Sequence, residues 1–295
     1  MPELTSVLPA ATPLPAASDP AFERFVRLVR RQLGVPVALV SLVDAHGQVF
    51  PGAAGLPEPW QTSRRTPLTH SFCQSDRLAI AARYLPAHAR DAVGGDWYDA
   101  FSTPDGAMVV VVGDTSGHDI GAAADMGQLR TLLRGYAVDR EELPSATMRR
   151  LDRAMATLSV DTLATVVLGR IEQDAAGAYA LCWTNAGHPP PLLLHPDGQV
   201  TELGGRAELL VGVHPGAARS DHRVALPAGS TLVLFTDGLI EQRAGDRDID
   251  SGTAQVVGAL TGQGGLPLEA LLNRVLERLA EPRDDDVVVL AVRIG

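Results

Sequence analysis

Three short runs dominate the hydropathy pattern: Met108-Val109-Val110-Val111-Val112, Thr231-Leu232-Val233-Leu234-Phe235 and Val287-Val288-Val289-Leu290. Continuous, β-branched apolar segments of this length predict buried strands. Each ends in or adjoins an acidic motif: Gly113-Asp114-Thr115-Ser116-Gly117-His118, Thr236-Asp237-Gly238 and Asp284-Asp285-Asp286. A fourth such motif, Gly94-Gly95-Asp96, opens a predicted hairpin, 97–102 and 107–113, about the turn Thr103-Pro104-Asp105-Gly106. Around these, strands are predicted at 77–85, 163–171, 179–184, 191–195, 199–203, 222–226, 230–236 and 287–293. Helices are predicted at 119–136, at 145–158 with Ser145 as its cap, and at 267–281. The amphipathic stripe Met126, Leu129, Leu132 and Leu133 reads as core. Blocks of strands with a few long helices inserted indicate an α+β sandwich rather than alternating βαβ units.

Carboxylates at the tips of buried strands converge where a sheet ends. Four of them cannot stay ionised together without counter-charge, and oxygen ligands suit magnesium or manganese rather than zinc. Taken singly, each Asp-Gly or Gly-Asp pair reads as an ordinary turn. The chemistry rests on their recurrence at strand ends.

The N-terminal part is built differently. Residues 1–18 are rich in Pro, Ala, Ser and Thr and read as a mobile tail. Ser18-Asp19-Pro20 is a helix start, and the helix runs to about Leu33, before Gly34. A strand over 35–43, a turn at Asp44-Ala45-His46-Gly47 and a returning strand over 48–50 follow.

Composition narrows the function. The chain has 295 residues, net charge −10 and 45% hydrophobic residues. That acidity argues against a nucleic-acid binder. All 25 basic residues are arginine, so no lysine Schiff base or P-loop lysine exists. The two cysteines, Cys73 and Cys182, are far apart, and no Cys/His spacing suits zinc. Cys182 reads as a buried, inert thiol. No membrane span or signal peptide is predicted, so the expectation is a cytoplasmic protein.

From residue 76 to 295 the chain resembles the SpoIIE/RsbU-type branch of the PPM (type 2C-like) metal-dependent protein phosphatases. The resemblance is carried by Ala92-Val93-Gly94-Gly95-Asp96-Trp97-Tyr98-Asp99, Val112 to His118 with Ala122-Ala123-Ala124, Asn185-Ala186-Gly187-His188-Pro189-Pro190, Phe235-Thr236-Asp237-Gly238-Leu239 and Asp284-Asp285-Asp286. It implies a β-sandwich of two antiparallel sheets flanked by helices, with two divalent cations, Mn2+ or Mg2+, at one end. The implied metal ligands are Asp96, Asp114 as the bridging carboxylate, the Thr115 carbonyl, Asp237 and Asp285, with Asp286 an adjacent candidate. Asp114 and Asp237 are the implied catalytic pair. His118 and His188 fall within family blocks and are candidate general acids for the leaving oxygen, beside equally open roles in helix start and packing. Asn185 and Gly187 are expected to shape a loop, and Asp99 to support the site or a turn. Residues 19–75 resemble a truncated GAF sensor segment, through Thr66-Pro67-Leu68-Thr69-His70-Ser71-Phe72-Cys73-Gln74, too short to enclose a ligand pocket.

The function implied is a metal-dependent protein-serine/threonine phosphatase. Its implied substrate is a phosphorylated STAS-type anti-anti-sigma factor or similar partner-switching regulator, with a homodimer left open. Two alternatives stand beside it: a catalytically degenerate PPM-fold scaffold, and a two-metal hydrolase of small phosphoesters.

Overall fold

Alternation along the strands decides how the larger part of this protein is layered. The computed structural model describes residues 17–33, 38–44, 47–56, 58–66, 78–85, 94–117, 120–205, 208–240, 249–279 and 285–295. Two compact units divide the chain, Met1–Gln74 and Ser75–Gly295.

In the first unit, α1 (Pro20–Leu33) is followed by an antiparallel sheet of β1 (Ala38–Asp44), β2 (Gly47–Ala54) and β3 (Arg65–Thr66), with one helical turn, α2 (Trp60–Ser63), before the last strand. The Asp19 carboxylate accepts the Phe22 N–H at 3.2 Å, as the predicted helix start requires. The returning strand is longer than its pattern suggested. Glu23 binds Arg64 and accepts the Ala53 N–H at 3.3 Å, which ties helix to sheet. Residues 67–74, which carry most of the sensor-like motif, lie outside the described residues.

The second unit runs β4 (Leu78–Leu85), β5 (Asp96–Ser102), β6 (Met108–Thr115), α3 (Ile120–Asp139), α4 (Pro144–Leu158), β7 (Ala164–Gln173), β8 (Tyr179–Ala186), β9 (Leu192–Leu194), β10 (Val200–Glu202), β11 (His222–Leu226), β12 (Thr231–Phe235), α5 (Ile249–Leu260), α6 (Leu268–Leu279) and β13 (Val287–Ile294). Two five-stranded sheets result, ordered β10-β9-β12-β13-β4 and β11-β8-β7-β6-β5, with every pairing antiparallel. The expected α+β sandwich is the observed fold.

Successive side chains on a strand face opposite sides. On β6, Met108, Val110 and Val112 point between the sheets, while Val109 and Val111 pack under α3 and α4 beside Leu129, Leu133, Met148 and Leu151. On the other sheet, Leu232, Leu234, Val288, Leu290 and Val292 face inward, while Val233, Phe235, Val287 and Val289 pack under α5 and α6. Both sheets are thus buried on both faces, which is why these strands read as unbroken apolar runs.

Several local devices fix the frame. Trp97 lies opposite Gly113 across β5 and β6, and a Cβ on Gly113 would collide with the indole ring. Asp99, on the helix side of β5, accepts two 3.0 Å hydrogen bonds from Arg134 and lies 3.5 Å from Arg130, anchoring α3. Ser145 is not the cap of α4. Leu143 takes that position with Pro144 in the first turn, and Ser145 instead donates through N (2.8 Å) and Oγ (2.6 Å) to Asp221. Helix α5, unforeseen in the sequence, approaches so closely that a Cβ on Gly252 would lie 2.6 Å from the Ile240 Cβ.

The ion pair between Arg219 and Asp152 is fully enclosed. Arg219 donates from Nε and Nη2 to Asp152 of α4, both at 2.9 Å, and also to the Leu209 and Leu210 carbonyls; the two charged side chains have no solvent exposure. Removing one partner strands the other charge, so Asp152→Ala should destabilise the second unit by about 3–5 kcal/mol. The check is a lower urea midpoint at unchanged slope. A loss below about 1 kcal/mol would show that the pair does not hold α4 to the 208–221 segment.

Candidate metal centre

The same alternation brings the acidic residues to one end of the sandwich interior. Continuing the inward-facing series on β6 past Val112 reaches Asp114, and Asp96 is its direct partner across the β5–β6 ladder. On the opposing sheet, the inward series Leu232, Leu234 continues to Thr236, and Val292, Leu290, Val288 continues to Asp286. On β4, Leu78, Ile80 and Ala82 lead to Tyr84. The apolar interior therefore ends in a polar cluster drawn from five strands. Asp237 opens a single 3-10 turn, Asp237–Leu239, after β12, and Asp285 stands just before β13.

Asp96 is 4% exposed, and its Oδ2 is buried without a hydrogen-bond partner. Burial first, and then the charges of Asp114 and Asp237, push its pKa well above the carboxylate range, against a lowering hydrogen bond with Thr236. Asp114 is pushed up to about 7, by burial and then by the charges of Asp237, Asp285 and Asp286, with the Asp96 hydrogen bond opposing. Like charges forced together in a half-dry site titrate late. Thr236 Oγ1 also accepts the Val288 N–H at 2.9 Å, so Thr236 links the two sheets at this end.

Glycines let the backbone close around the cluster. A Cβ on Gly94 would collide with the Asp286 carboxylate, and one on Gly238 with the Asp286 carbonyl. A Cβ on Gly95 would come within 2.5 Å of the Thr115 carbonyl oxygen and 2.7 Å of that of Gly117. Thr115 is 1% exposed; its N–H (3.2 Å) and Oγ1 (3.1 Å) both bond to the Gly95 carbonyl. The Asp286 N–H donates to Asp285 Oδ1 at 2.8 Å. Tyr84 Oη donates to Asp286 Oδ2 at 3.0 Å and accepts the Gly94 N–H at 3.1 Å; burial and then the Asp286 charge raise its phenol pKa, keeping it a donor.

These residues fit a hard divalent cation. The orphaned Asp96 Oδ2, the raised carboxylates and the glycine-lined closure all call for positive charge at this spot. Among the described residues, no three carboxylate, thiol or imidazole groups already form a cage around one point. Magnesium and manganese suit such a site, because magnesium keeps several waters and takes few carboxylates, whereas structural zinc is enclosed by four N/S ligands.

The two histidines separate. His118 lies outside the described residues. His188 is 6% exposed, shares a 2.8 Å hydrogen bond through Nδ1 with Thr165 Oγ1, and is pulled down to about 3 by burial, despite the Phe235 carbonyl favouring its charged form. A neutral, enclosed ring is a poor proton donor near pH 7. Asn185 bonds both ways to the His188 backbone, at 2.7 and 2.8 Å, and Gly187 has φ +73°, so this motif closes a loop. Asp99 faces the helices, away from the cluster. Cys182 is buried with its pKa raised, foremost by burial. Tyr84 and Thr236 were not singled out in the sequence; a polar residue ending an alternating apolar series was the available signal.

Comparisons with known proteins converge on one family. Residues 104–295 match the family Stage II sporulation protein E (SpoIIE). Protein IcfG of Synechocystis sp. (strain ATCC 27184 / PCC 6803 / Kazusa) is 26% identical over 247 residues, covering 72% of this chain and 37% of IcfG. This chain thus spans little more than a third of that relative. The RsbU and RsbW domains of Rv1364c from Mycobacterium tuberculosis align at 29% identity and a TM-score of 0.62, over 74% of this chain and 60% of that one. The SiaA-PP2C domain of Pseudomonas aeruginosa shares the fold at 22% identity and a TM-score of 0.62, over 77% and 88% of the two chains.

The raised pKa values have a direction that can be tested without metal. A carboxylate titrating near 7 when folded and near 3.8 when unfolded holds its proton better in the folded state. Between those values the folded form binds more protons, so stability falls as pH rises through the window. In chelator the second unit should melt at a higher temperature at pH 5 than at pH 8. Asp114→Asn should reduce that difference by at least about 1.4 kcal/mol, or roughly 3–6 °C. A wild-type melting temperature equal at both pH values, or higher at pH 8, would contradict the clustering.

Proposed function

The chain belongs to the SpoIIE family of PPM-type phosphatases, and from that premise we propose that it is a metal-dependent protein-serine/threonine phosphatase. The observation that carries the reading is the cross-strand pair of buried Asp96, with its unpartnered oxygen, and half-buried Asp114, both with raised pKa values, facing Asp237 and the Asp285–Asp286 pair across the sandwich. Asp96, Asp114, Asp237 and a carboxylate of the Asp285–Asp286 pair would hold two cations, Mn2+ or Mg2+, with the Thr115 carbonyl beside them. When bound, such a pair supplies charge for the phosphoryl oxygens and an activated water as nucleophile.

The protein's own residues then have defined tasks. Asp114 sits where charge from both sheets meets, which suits a carboxylate shared between two ions. Thr236 orients Asp96 by hydrogen bonding and fixes the spacing of the sheets. Burial of Asp96 and Thr115 keeps bulk water from competing for the inner face of the site. His188 is left out of the chemistry, and His118, outside the described residues, is the remaining histidine candidate for protonating the leaving serine oxygen.

The substrate we propose is the phosphoserine or phosphothreonine form of a partner-switching regulator, a STAS-type anti-anti-sigma factor foremost. The motif resemblance supports this, as does the likeness to a protein that itself carries RsbU and RsbW domains. Among the described residues, no helix is long and apolar enough to cross a membrane.

Purified protein should dephosphorylate a serine-phosphorylated STAS protein with manganese and stop in excess chelator. Asp114→Asn and Asp237→Asn should each lower turnover by about a hundredfold or more while the fold remains, since each removes a charge the cations need. Undiminished activity in chelator, or in both variants, rules the mechanism out. Turnover of free nucleotides with none of phosphoproteins would favour the small-phosphoester reading instead.

The nucleophile provides a second check. With water attacking directly, no phosphoenzyme forms, and Cys182→Ala should keep activity within about threefold, any loss arising from packing. Rapid-quench mass spectrometry that traps a phosphorylated cysteine or histidine during turnover would overturn this.

A further inference from the structure

Asp286 does more in this fold than add one charge to an acidic run. Its carboxylate receives the Tyr84 hydroxyl at 3.0 Å and abuts Gly94, whose N–H donates to the same hydroxyl at 3.1 Å. Its carbonyl abuts Gly238, and its N–H donates to Asp285 Oδ1 at 2.8 Å. Three segments meet on this one residue: the Gly94-Gly95 approach to Asp96, the turn after Asp237, and the entry to β13. Asp286 is 5% exposed, whereas Asp285 is open to solvent.

Tyr84 stands where the interior changes character. The inward positions before it on β4 are Leu78, Ile80 and Ala82, and across the ladder Tyr84 pairs with Val288, two residues past Asp286 on the same face. A diagonal neighbour at that spacing is within reach of an aromatic side chain. The ring covers the apolar interior while the hydroxyl reaches the carboxylate. A phenylalanine would serve the first purpose equally well, so only the second explains the hydroxyl.

We propose that Tyr84 is a positioning residue of the catalytic end: it clamps Asp286 as a brace between the segments carrying Asp96 and Asp237, leaving Asp285 as the liganding member of the pair. This rests on the metal-dependent reading above. Asp286 then acts through shape and hydrogen bonding, and an amide oxygen can accept the tyrosine hydroxyl in its place. Asp285 acts through charge and tolerates no such exchange. Gly94 is part of the clamp, because any side chain there would displace the carboxylate.

The test is calorimetric titration of the full chain with manganese alone, beside thermal melting in chelator. Asp285→Asn should weaken manganese binding by about a hundredfold or more, and Asp286→Asn by no more than about threefold, since an orienting partner is kept. Tyr84→Phe should weaken it about tenfold, within the range seen when groups supporting metal ligands are removed. Losses equal in Asp286→Asn and Asp285→Asn would make Asp286 a ligand and overturn the assignment. A Tyr84→Phe protein that melts lower yet binds manganese as wild type does would make Tyr84 a core residue, and overturn it too. If Tyr84→Phe does not fold, the two asparagine variants carry the test unaided. Wild-type protein that binds no manganese removes the phosphatase reading itself, and the clamp's role with it.

Discussion

Mutual repulsion between carboxylates is the constraint on which the acidic end of this protein depends. Asp96 and Asp114 are direct cross-strand partners, a placement that disfavours sheet pairing when both are charged. The apolar runs behind them overcome that cost. Val110, Val112, Leu234, Val288 and Leu290 are almost completely buried, and each such side chain contributes about 1.5–3 kcal/mol relative to exposure. The interior therefore holds the acids where they would not gather on their own. Repulsion is relieved by protons when metal is absent, and in the proposed metal-bound form it would be relieved by cations. Stability and the proposed chemistry would draw on the same four strand ends.

The surrounding structure serves that end by rigidity. Helix α3 is fastened to β5 through Asp99 and Arg134, on the face opposite Asp96. Helix α4 is tied to the 208–221 segment by the enclosed Asp152–Arg219 pair and by Ser145–Asp221. These are charged contacts in places where apolar packing alone would allow sliding. Thr236 and Tyr84 do the corresponding work between the sheets. Each places a hydroxyl at the boundary between apolar interior and acidic cluster.

Much of this was legible in the sequence because strand alternation is strict. Once Met108–Val112 and Val287–Leu290 are read as buried strands, the position of Asp114 beyond one and Asp286 before the other follows. The glycines at 94, 95 and 238 stand within the acidic motifs, but nothing local in the sequence shows what they approach. Other features had weak local signals. Helix α5 carries Gly252 and Gly258 and the β-branched Thr253, Val256 and Val257, a composition that disfavours helix; Val256, Ala259 and Leu260 instead pack into the core beside Phe235, Ile240 and Leu272. Ser145 looked like a cap because serine before an amphipathic stretch usually is one, but Pro144 already begins the helix and Asp221 claims the serine. His188 carried a family motif, and only its burial shows that its ring is neutral.

Metal binding should displace protons from the cluster, and this follows most directly from the central claim. At pH 6 Asp114, with its pKa pushed up to about 7, is mostly protonated in the folded protein, and a cation can only be held by the ionised carboxylates. Manganese titrations in buffers of different ionisation enthalpy would count the protons released. The account predicts at least about one proton leaving per protein at pH 6, falling toward zero above pH 8. Tight binding with no proton release at pH 6 would show that the carboxylates were ionised beforehand, and would contradict the account.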